Sequence, residues 1–192
     1  MYDAIEDPDC YPGTRTLINK LGIRDPDRLE AFEEEITRER AAEPLPVGRL
    51  SVNHFRAVHK HLFQDVYHWA GRFRSVRISK GGSTFCYPEN IADQLKVRFA
   101  WLKSQRFLRD LSREDFASKA ANFLAELNAI HAFRDGNGRA QLAFLALLAA
   151  KAGHPLDFDQ LVPETFLAAM IASFQGDESH LAKHLWQMTR PR

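Results

Sequence analysis

The run Gln141-Leu142-Ala143-Phe144-Leu145-Ala146-Leu147-Leu148-Ala149-Ala150 constrains this chain most, because it is apolar on nearly every face. A helix without a polar side has to be covered by other elements. The strictly apolar part, Leu142 to Ala150, is far shorter than the about 20 residues that span a bilayer, so the cover is expected to be protein. Directly before it stands His131-Ala132-Phe133-Arg134-Asp135-Gly136-Asn137-Gly138-Arg139. Gly136-Asn137-Gly138 predicts a turn that opens the buried helix. A helix N-terminus presents unpaired N–H groups and a partial positive charge, which suits phosphate. The two glycines are expected to let a ligand come close to the backbone.

The residue types around this turn fit phosphoryl or nucleotidyl transfer, which needs positioning, anion neutralisation and a divalent cation more than covalent chemistry. His131 can take a proton from an attacking hydroxyl near neutral pH. Asp135 offers a hard oxygen to Mg²⁺, which binds through one or two carboxylates plus substrate phosphates. The N–H groups around Gly136, Asn137 and Gly138 can hold a phosphate, and Arg139 can reach further phosphate oxygens in bidentate fashion. Asp135-Gly136-Asn137-Gly138 alone also reads as a plain tight turn, and a histidine beside phenylalanine is often a core residue. His131, Phe133 and Arg139 at fixed offsets, with a buried helix behind them, favour the site.

The other segments read mostly as helices. Asp25 caps a helix with Pro26 at its first position; Leu29, Phe32 and Ile36 form its apolar stripe, and Glu33-Glu34-Glu35 its solvated face. Ser51 caps the next, with Val52, Phe55, Val58, Leu62 and Phe63 inward. His54, His61 and His68 recur every seven residues, but metal ligands on a helix sit closer, as at i, i+4, so packing and surface histidines are expected. Arg74 to Ser79 alternates as a strand, Lys80-Gly81-Gly82-Ser83 turns, and Thr84 to Tyr87 returns, predicting a hairpin whose edge could accept a peptide. It is not a P-loop, since the lysine precedes the glycines. Ile91, Leu95, Phe99 and Leu102 mark a helix; so do Phe116, Ala120, Phe123, Leu124 and Leu127 behind Ser112. Gly153 and Pro155 end the central helix. Helices over Pro163 to Phe174 and Asp177 to Met188 close the chain.

The expectation is an all-α fold of about seven helices with one β-hairpin. An N-terminal arm, 1–24, whose Leu17, Leu21 and Ile23 pack on the body, precedes a single domain over 25–192. The formal net charge of +1, with no clustering of basic residues, gives no reason to expect nucleic-acid binding. Cys10 and Cys86 make no disulfide framework, and the acidic start lacks a secretory signal, so a cytoplasmic protein without membrane attachment is expected.

The stretch from His131 resembles the signature of the Fic (filamentation induced by cAMP) family, H-x-F-x-(D/E)-G-N-G-R-x-x-R, and departs from it only at Leu142, where the family has a second arginine. Tyr67-x-Trp69-Ala70-Gly71, the Lys80–Tyr87 hairpin and Glu126-Leu127-Asn128 are also Fic-like. Tyr11-Pro12-Gly13-Thr14 and Leu17-Ile18-Asn19-Lys20 resemble the arm of bacterial Fic toxins, so the likeness covers residues 10 to 190. It implies a helical core with a hairpin flap, and transfer of AMP from ATP to a hydroxyl side chain of a target protein. It assigns the base to His131, the loop anchor to Phe133, Mg²⁺ to Asp135, the anion hole to Gly136, Asn137 and Gly138, and a phosphate contact to Arg139. The flap residues Ile78, Ser79, Lys80, Gly81, Gly82, Ser83, Thr84 and Phe85 would clamp the target by strand addition. Toxins of this kind modify type II topoisomerases (DNA gyrase or topoisomerase IV) and are restrained by a small antitoxin protein.

Leu142 removes the arginine that in the family grips the γ-phosphate and pairs with the inhibitory glutamate. The inhibitory pattern (S/T)-x-x-x-E-(G/N) is absent from the sequence. Ala132 replaces the common proline. Two alternatives to AMP transfer follow: a Fic enzyme using another diphosphate-containing substrate, such as UTP or CDP-choline, and a non-catalytic domain that binds a partner through the flap.

Overall fold

The structure, a computed structural model, describes residues 7–189, with the backbone alone for Ser83. Residues 1–6 of the expected arm and 190–192 of the expected domain lie outside the described residues. Seven α-helices are present among the described residues: α1 (Pro26–Ala42), α2 (Val52–Phe63), α3 (Ile91–Ser104), α4 (Arg113–Ile130), α5 (Asn137–Ala152), α6 (Pro163–Phe174) and α7 (Ser179–Met188). A single two-stranded antiparallel sheet joins β1 (Ser79–Lys80) to β2 (Ser83–Thr84) among the described residues. None of their helices is long and apolar enough to cross a membrane.

The chain divides into two compact units. The first holds the described residues through Ile91 and Ala132–Ala140; the second holds Ala92–His131 and the described residues from Gln141 onward. In the first, Asp25 accepts the Arg28 N–H at 2.9 Å and Pro26 opens α1, as expected. The stripe of α1 differs from its forecast. Leu29, Glu33 and Thr37 are the buried positions, and Phe32 and Ile36 are only half-buried. Glu33 therefore leaves the solvated face assigned to it, because Tyr67 and Arg139 meet its carboxylate. On α2, His59 joins Phe55, Val58, Leu62 and Phe63 inside. His54 bonds Leu50 N–H (3.2 Å) and the Pro46 carbonyl (2.6 Å), His61 bonds the Arg40 carbonyl (2.7 Å), and His68 is exposed, so these three are packing and surface histidines.

Leu17 of the arm is buried, but Leu21 is exposed and Ile23 half-buried. Polar bonds do the work expected of Leu21. Asn19 Oδ1 accepts from the N–H groups of Leu21 and Ile23, Lys20 N–H donates to Val66 O (2.8 Å), and Asp7 pairs with Arg134. The hairpin is shorter than the alternation from Arg74 suggests. The ladder is Ser79 opposite Thr84 and Lys80 opposite Ser83, and Gly81 and Gly82, at φ +56° and +81°, form the turn. Below it, one further backbone bond, Phe85 N–H to Ile78 O (3.3 Å), and side chains hold the chain. Arg74 donates to the carbonyls of Val76 (2.7 Å) and Cys86 (2.5 Å), while Ile78 and Phe85 are buried.

In the second unit, Ser112 caps α4 through Asp115 N–H (3.0 Å) and also donates to the Asp115 carboxylate (2.9 Å). Phe99, Phe123 and Phe144 meet ring to ring at 5.4–6.3 Å, so the centre of α5 is covered by aromatic side chains of α3 and α4. On α6, Phe166 and Met170 are buried but Leu167 and Ile171 are 58% and 56% exposed, half of the apolar set expected inward.

Candidate active site

The motif loop begins where α4 ends. His131 is the C-cap of α4, in the left-handed conformation (φ +48°), its N–H bonded to Leu127 O at 3.0 Å. A non-glycine residue there is strained and persists only where its surroundings impose it. Its ring is held as well: Nδ1 lies 3.0 Å from the Asn128 carbonyl. A carbonyl only accepts, so Nδ1 carries a hydrogen, and in the neutral ring the lone pair is then on Nε2. Gln141, one turn into α5, donates to Leu127 O at 3.1 Å; its Oε1 is buried without a hydrogen-bond partner.

The next nine residues belong to the first unit. Phe133 is fully buried, stacked on His59 at 3.8 Å with Phe55 at 5.1 Å, as an anchor requires. Asn137 closes the loop upon it: Oδ1 accepts from Phe133 N–H (2.9 Å) and Nδ2 donates to Phe133 O (2.8 Å). The Asn137 side chain is thus structural, and only its backbone remains for an anion. His59 spans the loop from below. Its Nδ1 accepts Gly71 N–H (2.9 Å), so Nε2 carries the hydrogen and donates to Asp135 O (3.0 Å). Burial pushes the His59 pKa down to about 3, so the ring is neutral. Arg74 N–H donates to Ala132 O (3.0 Å), tying the base of the hairpin to the loop. Arg134, at a variable motif position, is buried against Asp7, with its Nε 2.6 Å from Oδ2.

The two motif glycines serve different ends. Gly136 has φ +72°, and a Cβ there would lie 2.1 Å from the Phe63 ring. A side chain of the protein, not a ligand, occupies the close approach expected at this position. Its N–H also donates to Asp135 Oδ1 at 2.6 Å. Gly138 is exposed, and a Cβ there would meet nothing within 4 Å. Among the N–H groups of the turn, those of Asn137, Gly138 and Arg139 sit in the first turn of α5, where helix geometry provides no acceptor. Arg139 lies with its guanidinium 4.7 Å over the Phe63 ring and pairs with Glu33 and with Thr37 Oγ1 (3.1 Å). Asp135 is half-buried. No three His, Cys, Asp or Glu side chains gather among the described residues, so a cation here would rest on the Asp135 carboxylate and on oxygens brought by a substrate, a donor set suited to Mg²⁺. Of the flap, Ile78 and Phe85 are buried anchors, whereas Lys80, Gly81, Gly82 and Thr84 are exposed and Ser79 is half-buried.

Residues 49–149 match the Fic/DOC family. The probable protein adenylyltransferase y4lH of Sinorhizobium fredii is 50% identical over 188 residues, covering 97% of this chain and 98% of that one. A probable protein adenylyltransferase Fic of Escherichia coli is 34% identical over 89% of this chain and 86% of its own. Among solved structures, BepC of Bartonella tribocorum with bound AMPPNP superposes with a TM-score of 0.86 at 28% identity, over 96% of this chain and 97% of that chain. The chain belongs to the Fic/DOC family, and within it to the protein adenylyltransferases, enzymes that use a nucleotide substrate.

Proposed function

We propose that the chain transfers AMP from ATP to a hydroxyl side chain of a protein held along its hairpin, with His131 as general base. The observation that supports this reading is the Nδ1–H bond of His131 to Asn128 O, which in the neutral ring leaves Nε2 as the acceptor. The target hydroxyl oxygen bonds to the α-phosphorus as the bond from that phosphorus to the pyrophosphate oxygen breaks. The hydroxyl proton passes to His131 Nε2, and pyrophosphate leaves. The first-turn N–H groups of α5 and the outer edge of Arg139 receive phosphate oxygens. Asp135 would hold Mg²⁺, which when bound neutralises phosphate charge. The hairpin supplies an edge. With Phe85 N–H bonded to Ile78 O (3.3 Å), the alternation of an antiparallel pair turns the N–H and C=O of Ser79 and Thr84 outward.

Leu142, half-buried on α5, favours a second reading, in which a donor other than ATP is used. ATP is preferred because relatives 50% and 34% identical are named probable protein adenylyltransferases. A type II topoisomerase as target, an antitoxin as regulator and a cytoplasmic location are narrower readings that rest on the likeness to bacterial Fic toxins and on two free cysteines.

The test combines the purified chain, Mg²⁺, a bacterial lysate or purified gyrase and topoisomerase IV, and each α-labelled nucleoside triphosphate. A protein gaining AMP from ATP supports the proposal. Label from UTP, GTP or CTP alone moves the assignment to the second reading, and no label from any of them overturns nucleoside-triphosphate transfer. Leu142→Arg is expected to lower KM for ATP.

A further inference from the structure

The motif arginine is clamped by residues outside the motif. Glu33 is only 8% exposed, and both carboxylate oxygens are used, Oε1 by Arg139 Nη2 and Oε2 by the Tyr67 hydroxyl. One turn along α1, Thr37 donates its hydroxyl hydrogen to Glu33 O (2.7 Å), which turns a lone pair toward Arg139 Nη1 (3.1 Å). The Phe63 ring forms the third side. A guanidinium has five N–H donors; Glu33 and Thr37 take two, and the side chain is 39% exposed, which leaves the remaining donors for a ligand. Burial raises the Glu33 carboxyl and the Arg139 cation opposes that rise. Removing Arg139 from this clamp would leave a buried carboxylate without its cation, which is costly. The arginine is therefore expected to meet a ligand from where it stands.

We propose that Glu33, with Thr37 and Tyr67 in support, is a positioning residue for adenylyl transfer, holding Arg139 with its free N–H edge set for the nucleotide phosphates. The inference rests on the reading of Arg139 as a phosphate contact. Fixing the guanidinium beforehand removes the reorganisation otherwise needed as charge develops on the phosphates. The opposite role is also chemically conceivable: a carboxylate on Arg139 could compete with phosphate and restrain the enzyme. The two roles differ in the sign of what removal does.

Steady-state transfer is measured for the intact chain and for Glu33→Ala, Glu33→Gln, Tyr67→Phe, Arg139→Ala and Glu33→Ala/Arg139→Ala, with KM for ATP and for the target protein determined separately. Misplacement of one positioning group costs up to about 100-fold in rate. Glu33→Ala is expected to lower kcat/KM for ATP by about 10- to 100-fold on that scale, with KM for the target protein unchanged. Glu33→Gln, which keeps an acceptor for Arg139, restores part of the loss, and Tyr67→Phe shows a smaller loss. In the Arg139→Ala background, Glu33→Ala causes no further loss. Faster transfer by Glu33→Ala would assign restraint and overturn positioning. An equal loss in the presence and absence of Arg139 would mark a merely structural role. A large loss in Arg139→Ala with none in Glu33→Ala would sink the positioning role alone, and unchanged kinetics in Arg139→Ala would sink the phosphate reading along with it.

Discussion

The motif loop and the hairpin lie in the same unit and are built on opposite plans. Within 132–140, His59 takes the Asp135 carbonyl, Arg74 N–H the Ala132 carbonyl, Asn137 both polar groups of Phe133, Asp7 the Arg134 side chain and Glu33 the Arg139 side chain. The hairpin has two residues per strand, an open Gly81-Gly82 turn and support at its base from Arg74, Ile78 and Phe85. Chemistry on a phosphate needs donors fixed before the substrate arrives. A strand that pairs with a target through backbone groups has no such need. On the proposed function the loop would act on one fixed chemical group, which fits its many fixed partners, and the hairpin would address a chain, which fits its few.

The contrast predicts that equivalent substitutions diverge. Gly136→Ala meets both a left-handed backbone and the Phe63 ring, so about 1–2 kcal/mol of backbone cost adds to about 1–3 kcal/mol of overpacking. Gly82→Ala meets only the backbone term, because nothing lies within 4 Å. Chemical denaturation should therefore show a loss of about 2–5 kcal/mol at 136 and about 1–2 kcal/mol at 82; equal losses would remove the distinction. Asn137→Ala leaves the polar groups of the buried Phe133 backbone unpaired, and a loss of about 1–3 kcal/mol is expected, with transfer reduced as the loop loosens.

His59 gives the loop a pH signature. Its folded pKa of about 3 lies below the ordinary value of 6.5. Between those two values the unfolded chain binds a proton that the folded one refuses. Its contribution is complete above pH 6.5 and drains away as the pH falls toward 3, at up to about 1.4 kcal/mol per pH unit. His59→Gln should flatten the dependence of unfolding free energy on pH in this window, and an unchanged slope would place its origin elsewhere. The smallest effect on stability belongs to the hairpin. Thr84→Pro and Ser79→Pro each delete one outward N–H. On the proposed function, the variant on the edge that would meet the target should raise KM for the target about tenfold, the value of one hydrogen bond, with KM for ATP unmoved.

Much of this was legible from periodicity and punctuation. Asp25-Pro26, Ser51 and Ser112 marked helix starts through capping chemistry that acts within three residues. The loop and the helix behind it were legible because glycine, asparagine and a continuous apolar run are local signals, although Leu142, Ala143, Ala146 and Leu147 of that helix are only half-buried. The partners of the loop were not. Glu33 reads as one of three consecutive acids, and only its place between Leu29 and Thr37 at intervals of four hints that it faces inward. His59 lay hidden beside His54 and His61, although it follows Phe55 by four on the buried face of α2. Asp7 and Arg134 meet across 127 positions of sequence, which no local pattern registers. The hairpin was over-read, since, of the run from Arg74 to Ser79, Ser79 alone lies in a strand, with Ile78 bonded to Phe85 below it, and the alternation before that arises from Arg74 and Ile78 turning inward.

The central claim is that this fixed loop performs adenylyl transfer with His131 as base. The most direct measurement compares transfer of α-labelled AMP by the wild-type chain and by His131→Ala, alongside binding of AMPPNP to both. The account predicts transfer reduced by about 10²- to 10⁴-fold in the variant, the range for loss of a general base, with nucleotide affinity retained. Transfer that survives His131→Ala undiminished would contradict it.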